Sequence, residues 1–315
     1  MGNMRSILRK LSIVDFLILS FLGIVVLFYL VAFNHTPYRI LTPAILALLS
    51  GFLVLMIHLK SKNKPGKFQQ AANLIYPVIL SFALFETFFT ILPYFNSNRW
   101  DELMARIDFR ILGVNPTVWF ESWIHPLTTD LFYLLYVFYF PMPLFIIIWL
   151  YRKKMFKELE HAVFVFLFTY FGAYIIYFLV PVAGPRFFLK DLHTIPLDGI
   201  ILAEPIRKLI DFFEPNKLDA FPSLHAAIVM TTMLFCFKYH KKMFLVFIPV
   251  TVGIYISLIY CRYHYFIDMV AGLAWSVFAF LVGSVLYARF SHKYDAHFSR
   301  EERRKYERPD RGIQN

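Results

Sequence analysis

The sequence predicts an all-α polytopic membrane protein with about eight transmembrane helices. Three observations lead there. Hydrophobic residues make up 59% of the 315 residues and aromatics 19%, where a soluble chain is near half apolar, and mean hydropathy is +0.58. The apolar residues gather into eight runs of the length a hydrocarbon core demands, about 20 residues per helix for about 30 Å. Short basic segments separate them on one side and longer loops on the other.

The runs lie near 12–33, 40–59, 73–95, 130–151, 161–182, 222–237, 243–261 and 265–288. The first follows the basic stretch "MRSILRK", as a signal peptide would, but it is too long and lacks a small-residue cleavage site, so it reads as a span. Between the third and fourth runs, residues 96–128 mix Trp100, Asp101, Glu102, Arg106, Asp108 and Arg110 with Leu103, Met104, Ile107 and Ile111 at helical spacing. That pattern predicts an interfacial amphipathic helix covering the outer face; a lid or acceptor-recognition element is its functional alternative. The sixth run is short and is assigned partly because its neighbours leave room for it. Cys236 and Cys261 fall within or at the end of spans and form neither a CxxC pair nor a disulfide framework. From Arg289 a charged tail reads as a solvated end.

A net charge of +11 could suggest nucleic acid, but its distribution points to membrane topology instead. Arg5, Arg9 and Lys10, then Lys60, Lys62, Lys64 and Lys67, then Arg152, Lys153, Lys154 and Lys157, then Lys238, Lys241 and Lys242, and finally the tail, all fall on one side of the eight spans. By the positive-inside rule both termini are cytoplasmic. Three unusual segments then share the noncytoplasmic face: "PVAGPRFF" at 181–188, "DAFPSLHAA" at 219–227 and "CRYHYFID" at 261–268.

Each segment alone has a bland reading, as a helix border or an interfacial anchor; together they describe a site. His264 and Asp268 are four apart and on a helix would share a face. The carboxylate could then accept the Nδ1 proton and leave Nε2 as a lone pair for nucleophilic work. Pro222 suits the first turn of a helix whose N-terminus would receive an anion, with His225 and Ser223 beside it. Arg186, after Gly184 and Pro185, presents a guanidinium that matches phosphoryl oxygens. Phosphoryl transfer fits this set: His264 attacks phosphorus, Asp268 holds its tautomer, and His225 donates to the leaving oxygen. Arg186, Arg262, Ser223 and backbone N–H groups hold the equatorial oxygens. Neither metal nor cofactor is required. A transporter that uses the same residues to anchor headgroups, or a zinc enzyme built on the two histidines and the aspartate, are the rival readings.

"PSLH" and "HYFID" resemble the motifs of the type 2 phosphatidic acid phosphatase superfamily, which includes the vanadium haloperoxidases. Leu224 within "PSLH", the aromatic "HYF", the stretch "WDELMARIDFRILGVNPTVWFESW" at 100–123 and "LFYLLYVFYFPMP" after it are similar to the inositol phosphorylceramide synthase branch. The resemblance implies a six-helix catalytic membrane domain over about 70–288, with two additional helices in 1–69 and a basic cytoplasmic tail at 289–315. It implies His264 as nucleophile, His225 as acid and Asp268 as orienter. The partner it implies is a membrane lipid: a phospholipid, lipid phosphate or polyprenyl diphosphate, with water or a lipid hydroxyl as acceptor. Two family positions differ. The usual arginine six residues before the nucleophile is Leu258, and the usual lysine before Arg186 is Leu179. Arg262, and Lys190 or Lys217 of the outer loop, are the candidates to supply those charges.

Overall fold

The computed structural model describes residues 11–60, 67–213 and 218–294. Its elements are helical: α1 (Ile13–Ala32), α2 (Leu41–Lys60), α3 (Lys67–Phe95), α4 (Asp101–Leu112), α5 (Pro116–Trp119), α6 (Pro126–Val137), α7 (Met142–Arg152), α8 (Phe156–Leu179), α9 (Pro185–Phe188), α10 (Ala203–Phe213), α11 (Leu224–Tyr239), α12 (Lys241–Tyr260) and α13 (Phe266–Tyr294). Six of these, α1, α2, α3, α8, α12 and α13, are long and apolar enough to cross a membrane. The basic stretch before residue 11, Lys62 and Lys64, and the tail from residue 295 lie outside the described residues.

The other two expected spans take a different form, each for a local reason. The run at 130–151 is two helices, α6 and α7, bent by 42°. Pro141 has no N–H to offer the carbonyl four residues back, and Pro143 follows it, so the helix breaks between Val137 and Met142. α11 has 16 residues, about 24 Å of helix, short of the hydrocarbon thickness. It can be short because it is the central helix, packed by α7, α8, α12 and α13. The fifth span stops at Leu179 because Val180 precedes Pro181 and leaves the helical region, at φ −133° and ψ 72°.

α8 and α13 flank α11 at close range. The Trp275 indole N–H donates to the Thr169 carbonyl at 2.9 Å. The Thr231 and Ser276 hydroxyls pair at 2.9 Å between α11 and α13. A Cβ at Gly272 would lie 2.3 Å from the Ser223 carbonyl oxygen, so the start of α11 touches the backbone of α13. α1 and α2 pack on the outside through α3 and α8. The Ser12–Asp15 capping box starts α1, and Asp15 also accepts the Tyr76 hydroxyl of α3. Aromatic residues fill this seam, with Phe21 stacked on Phe171 at 4.1 Å and Phe28 on Phe178 at 4.7 Å.

Candidate active site

Three loops meet at the end of the bundle where α11 begins, and backbone hydrogen bonds tie each to the others. The Ala220 N–H donates to the Val182 carbonyl at 3.0 Å, the Arg186 N–H to the Arg262 carbonyl at 2.9 Å, and the Ser223 N–H to the Asp268 carbonyl at 2.9 Å. Gly184 makes the approach possible: its φ is +94° and a Cβ there would lie 2.6 Å from the Tyr263 carbonyl oxygen. The segments 181–188, 219–227 and 261–268 therefore form one site.

His264 sits at its centre, buried, with its backbone N–H on the Leu258 carbonyl at 3.1 Å. Its Nδ1 is 3.0 Å from the Ala220 carbonyl oxygen. A carbonyl only accepts, so Nδ1 carries the proton and Nε2 the lone pair. That lone pair faces His225 Nδ1 at 3.2 Å, which makes His225 the donor. Burial pushes the His264 imidazole down to about 4, although Asp219 and the Ala220 carbonyl pull it up. At neutral pH the ring is uncharged, with its lone pair on Nε2. His225, on the first turn of α11, lies against the rings of Tyr136 at 4.7 Å and Tyr139 at 4.0 Å. The α6–α7 bend delivers these two tyrosines.

Asp268 does not take the His264 Nδ1 proton in the way the spacing predicts. α13 begins at Phe266, so His264 precedes the helix and the four-residue spacing no longer places both side chains on one face. Asp268 Oδ2 accepts the Tyr265 N–H at 2.8 Å, the bond of a capping residue three positions into a helix. It stands 3.7 Å from Nδ1, near enough to stabilise charge on the ring. Asp219 is a second acidic neighbour of His264; burial pushes its carboxyl up to about 6, and His264 draws it back.

The cations are placed as follows. Arg186 holds Asp211 of α10 bidentately, Nη1 to Oδ1 and Nη2 to Oδ2 both at 2.9 Å, and Nη1 also donates to the Tyr263 hydroxyl at 3.2 Å. That is the geometry with which a guanidinium holds two phosphoryl oxygens. Arg262 is turned away from the phosphate-binding role expected of it. From a left-handed backbone at φ +64°, its Nη2 donates to Glu121 Oε1 at 2.8 Å and to the Ile195 carbonyl at 2.7 Å. Ser223 caps α11, its Oγ accepting the Ala226 N–H at 3.3 Å, and Pro222 lies before that cap rather than in the first turn. Lys190 is exposed at the start of a 3-10 helix, Lys190–Leu192; Lys217 lies outside the described residues. Among the described residues no three His, Cys, Asp or Glu side chains gather as a metal-ligand set.

A family model described as the PAP2 superfamily matches residues 104–282, more than half of the chain. The chain belongs to the PAP2 superfamily. Its members are phosphatases and phosphotransferases. A PA-phosphatase related-family protein of Dictyostelium discoideum is 27% identical over 183 residues, which cover 52% of this PAP2 chain and 33% of the relative. This chain thus spans about a third of that relative's length. No solved structure matches it.

Sequence reasoning did not single out Glu121, Asp130, Asp211 or Asp219 at this PAP2 site. Glu121 also accepts the Thr194 N–H at 2.9 Å and hydroxyl at 2.8 Å. Asp130 accepts four successive backbone N–H groups, from Ile200 to Ala203, at the start of α10. A signal was available only for Asp101 and Asp108, whose seven-residue separation is two helical turns.

Proposed function

We propose that this protein is a membrane lipid phosphatase or phosphotransferase that works through a phosphohistidine on His264 at the noncytoplasmic face. The observation that carries the reading is the His264–His225 pair, with its tautomers fixed by the Ala220 carbonyl. A phosphoryl group enters between the two rings. His264 Nε2 attacks phosphorus, the bond to the leaving oxygen breaks, and His225, entering the step as the imidazolium, gives that oxygen its Nδ1 proton and is left neutral. The acceptor hydroxyl then returns a proton to His225 as it attacks, and the P–N bond breaks. Asp268 and Asp219 offset the positive charge on the His264 ring in between. Arg186 exchanges the Asp211 carboxylate for phosphoryl oxygens.

A lipid is the substrate that suits the surroundings. An apolar cleft of about 400 Å³ between α4 and α13 is lined by Leu103, Ile107, Phe221, Ile267 and Ala271 among others, and Phe221 follows Ala220, whose carbonyl meets His264. Hydrocarbon is the filling that suits such an apolar lining. Orientation rests on the positive-inside argument.

Burial favours a second reading of the acceptor. His264, Ser223 and Asp268 are all buried, and exclusion of water from a phosphoenzyme directs it to a lipid hydroxyl. This agrees with the resemblance to inositol phosphorylceramide synthases. The test uses the full chain in detergent with 32P-labelled short-chain phosphatidic acid, with and without ceramide or diacylglycerol. An acid-labile phosphoenzyme and turnover are expected, both lost in His264→Ala, and labelled lipid product appears only if an alcohol is the acceptor. Turnover that survives in His264→Ala sinks the proposal.

A further inference from the structure

We infer that α4 is the positioning element of the site: Asp101 and Asp108 hold the loops that carry Arg186 and His264 at the separation phosphoryl transfer needs. This rests on the phosphohistidine reading above. Seven residues on an α-helix turn through 700°, so the two carboxylates stand on nearly one line, about 10 Å apart along the axis. Both are buried, and every bond they accept comes from a catalytic loop or from the helix that follows it.

Asp101 takes the Ala183 N–H at 3.0 Å, the Gly184 N–H at 2.8 Å and the Tyr265 hydroxyl at 3.2 Å. It therefore joins the loop just before Arg186 to the residue just after His264. Asp108 takes the Phe266 N–H at 2.7 Å and the Ile267 N–H at 2.9 Å. These belong to the first turn of α13, where backbone donors lack partners within the helix. Between the two carboxylates, Met104 and Ala105 pack in one buried cluster with Val182, Ala220 and Tyr265, one residue from each of the three loops. Burial pushes the Asp108 carboxyl up, and the two α13 N–H groups oppose that rise.

α4 thus contacts every loop of the site while its side chains reach neither histidine through a hydrogen bond. Geometry is its contribution. A displacement of about 1 Å between reacting groups costs on the order of 10²-fold in rate, so the effect belongs in kcat.

The test compares Asp101→Asn, Asp108→Asn, Asp108→Ala and Tyr265→Phe with the unmodified full chain in detergent, using 32P-labelled short-chain phosphatidic acid. Phosphoenzyme formation, kcat, KM and melting temperature are read together. The aspartate variants are expected to lose about 10- to 100-fold in kcat and in phosphoenzyme formation, with KM within about twofold. Asp108→Asn, which keeps one acceptor oxygen, should retain more kcat than Asp108→Ala, an order that melting temperature alone does not set. Tyr265→Phe removes one hydroxyl and no backbone contact, so it keeps the readout available if an aspartate variant fails to fold; it should lower kcat severalfold at unchanged KM. Folded variants with unchanged kcat, or a loss confined to KM, overturn the inference. His264→Ala separates the two failures: if it is inactive while the α4 variants work normally, only the role of α4 is wrong, and if it keeps activity, the phosphohistidine reading is wrong.

Discussion

The clearest test of how the site is built is to remove Arg262 and Glu121 together. The two side chains meet at 2.8 Å with each about 10% exposed. Taking away one partner strands the other charge in a buried setting, which costs about 3–5 kcal/mol. Arg262→Met alone should therefore lower the melting temperature in detergent by on the order of 5–15 °C, and Glu121→Gln alone should do likewise. Arg262→Met with Glu121→Gln leaves no buried charge, and the glutamine can still serve the Thr194 and Ile195 N–H groups. Most of the lost stability should return, and with it turnover of a short-chain lipid phosphate, because the Arg262 guanidinium serves Glu121 and Ile195 rather than substrate. A double variant that melts normally and is inactive refutes this and returns Arg262 to the phosphate.

Asp211→Asn frees the Arg186 guanidinium from a bidentate partner. The side chains are 24% and 35% exposed, so solvent screening reduces the pair to about 1 kcal/mol; KM for lipid phosphate should fall about fivefold, and a fall in kcat at unchanged KM would mean that Asp211 orients Arg186 instead. The pH dependence follows from His264, which loses its lone pair only near about 4, so the acid limb of kcat/KM should lie well below 6.5 and move lower still in Asp219→Asn. In the same window, stability should decline as pH falls from 6.5 towards 4, because the unfolded histidine takes up a proton that the buried one refuses.

Much of the fold was legible because lipid imposes a length and an apolarity on every span. The break at Pro141 was legible in kind but was overlooked, since the apolar run continues through it. The meeting of Arg186, His225 and His264 could be anticipated from topology alone. What the sequence could not convey is what each polar group bonds to. Asp268 at four residues from His264 suggested a shared helical face, yet the helix starts after the histidine, and a main-chain carbonyl 44 residues away in the chain sets the tautomer instead. Arg262 and Arg186 look alike as sequence, but their partners, Glu121 and Asp211, are chosen by how distant loops fold back. Glu121 and Asp130, which accept backbone N–H groups from distant segments, leave no periodic trace.

The pairing of both arginines has a consequence for selectivity. With Arg262 neutralised by Glu121 and Arg186 by Asp211, a headgroup reaching the histidines is not drawn by an uncompensated cation among these four residues; it must win an exchange. A phosphomonoester near its second ionisation carries more negative charge than the carboxylate it displaces and gains from the swap. A phosphodiester carries only one charge and displaces Asp211 at no electrostatic advantage, so it must draw its preference from the rest of the lipid. On the proposed reading, Asp211 is therefore a threshold that ranks headgroups by charge before either histidine acts.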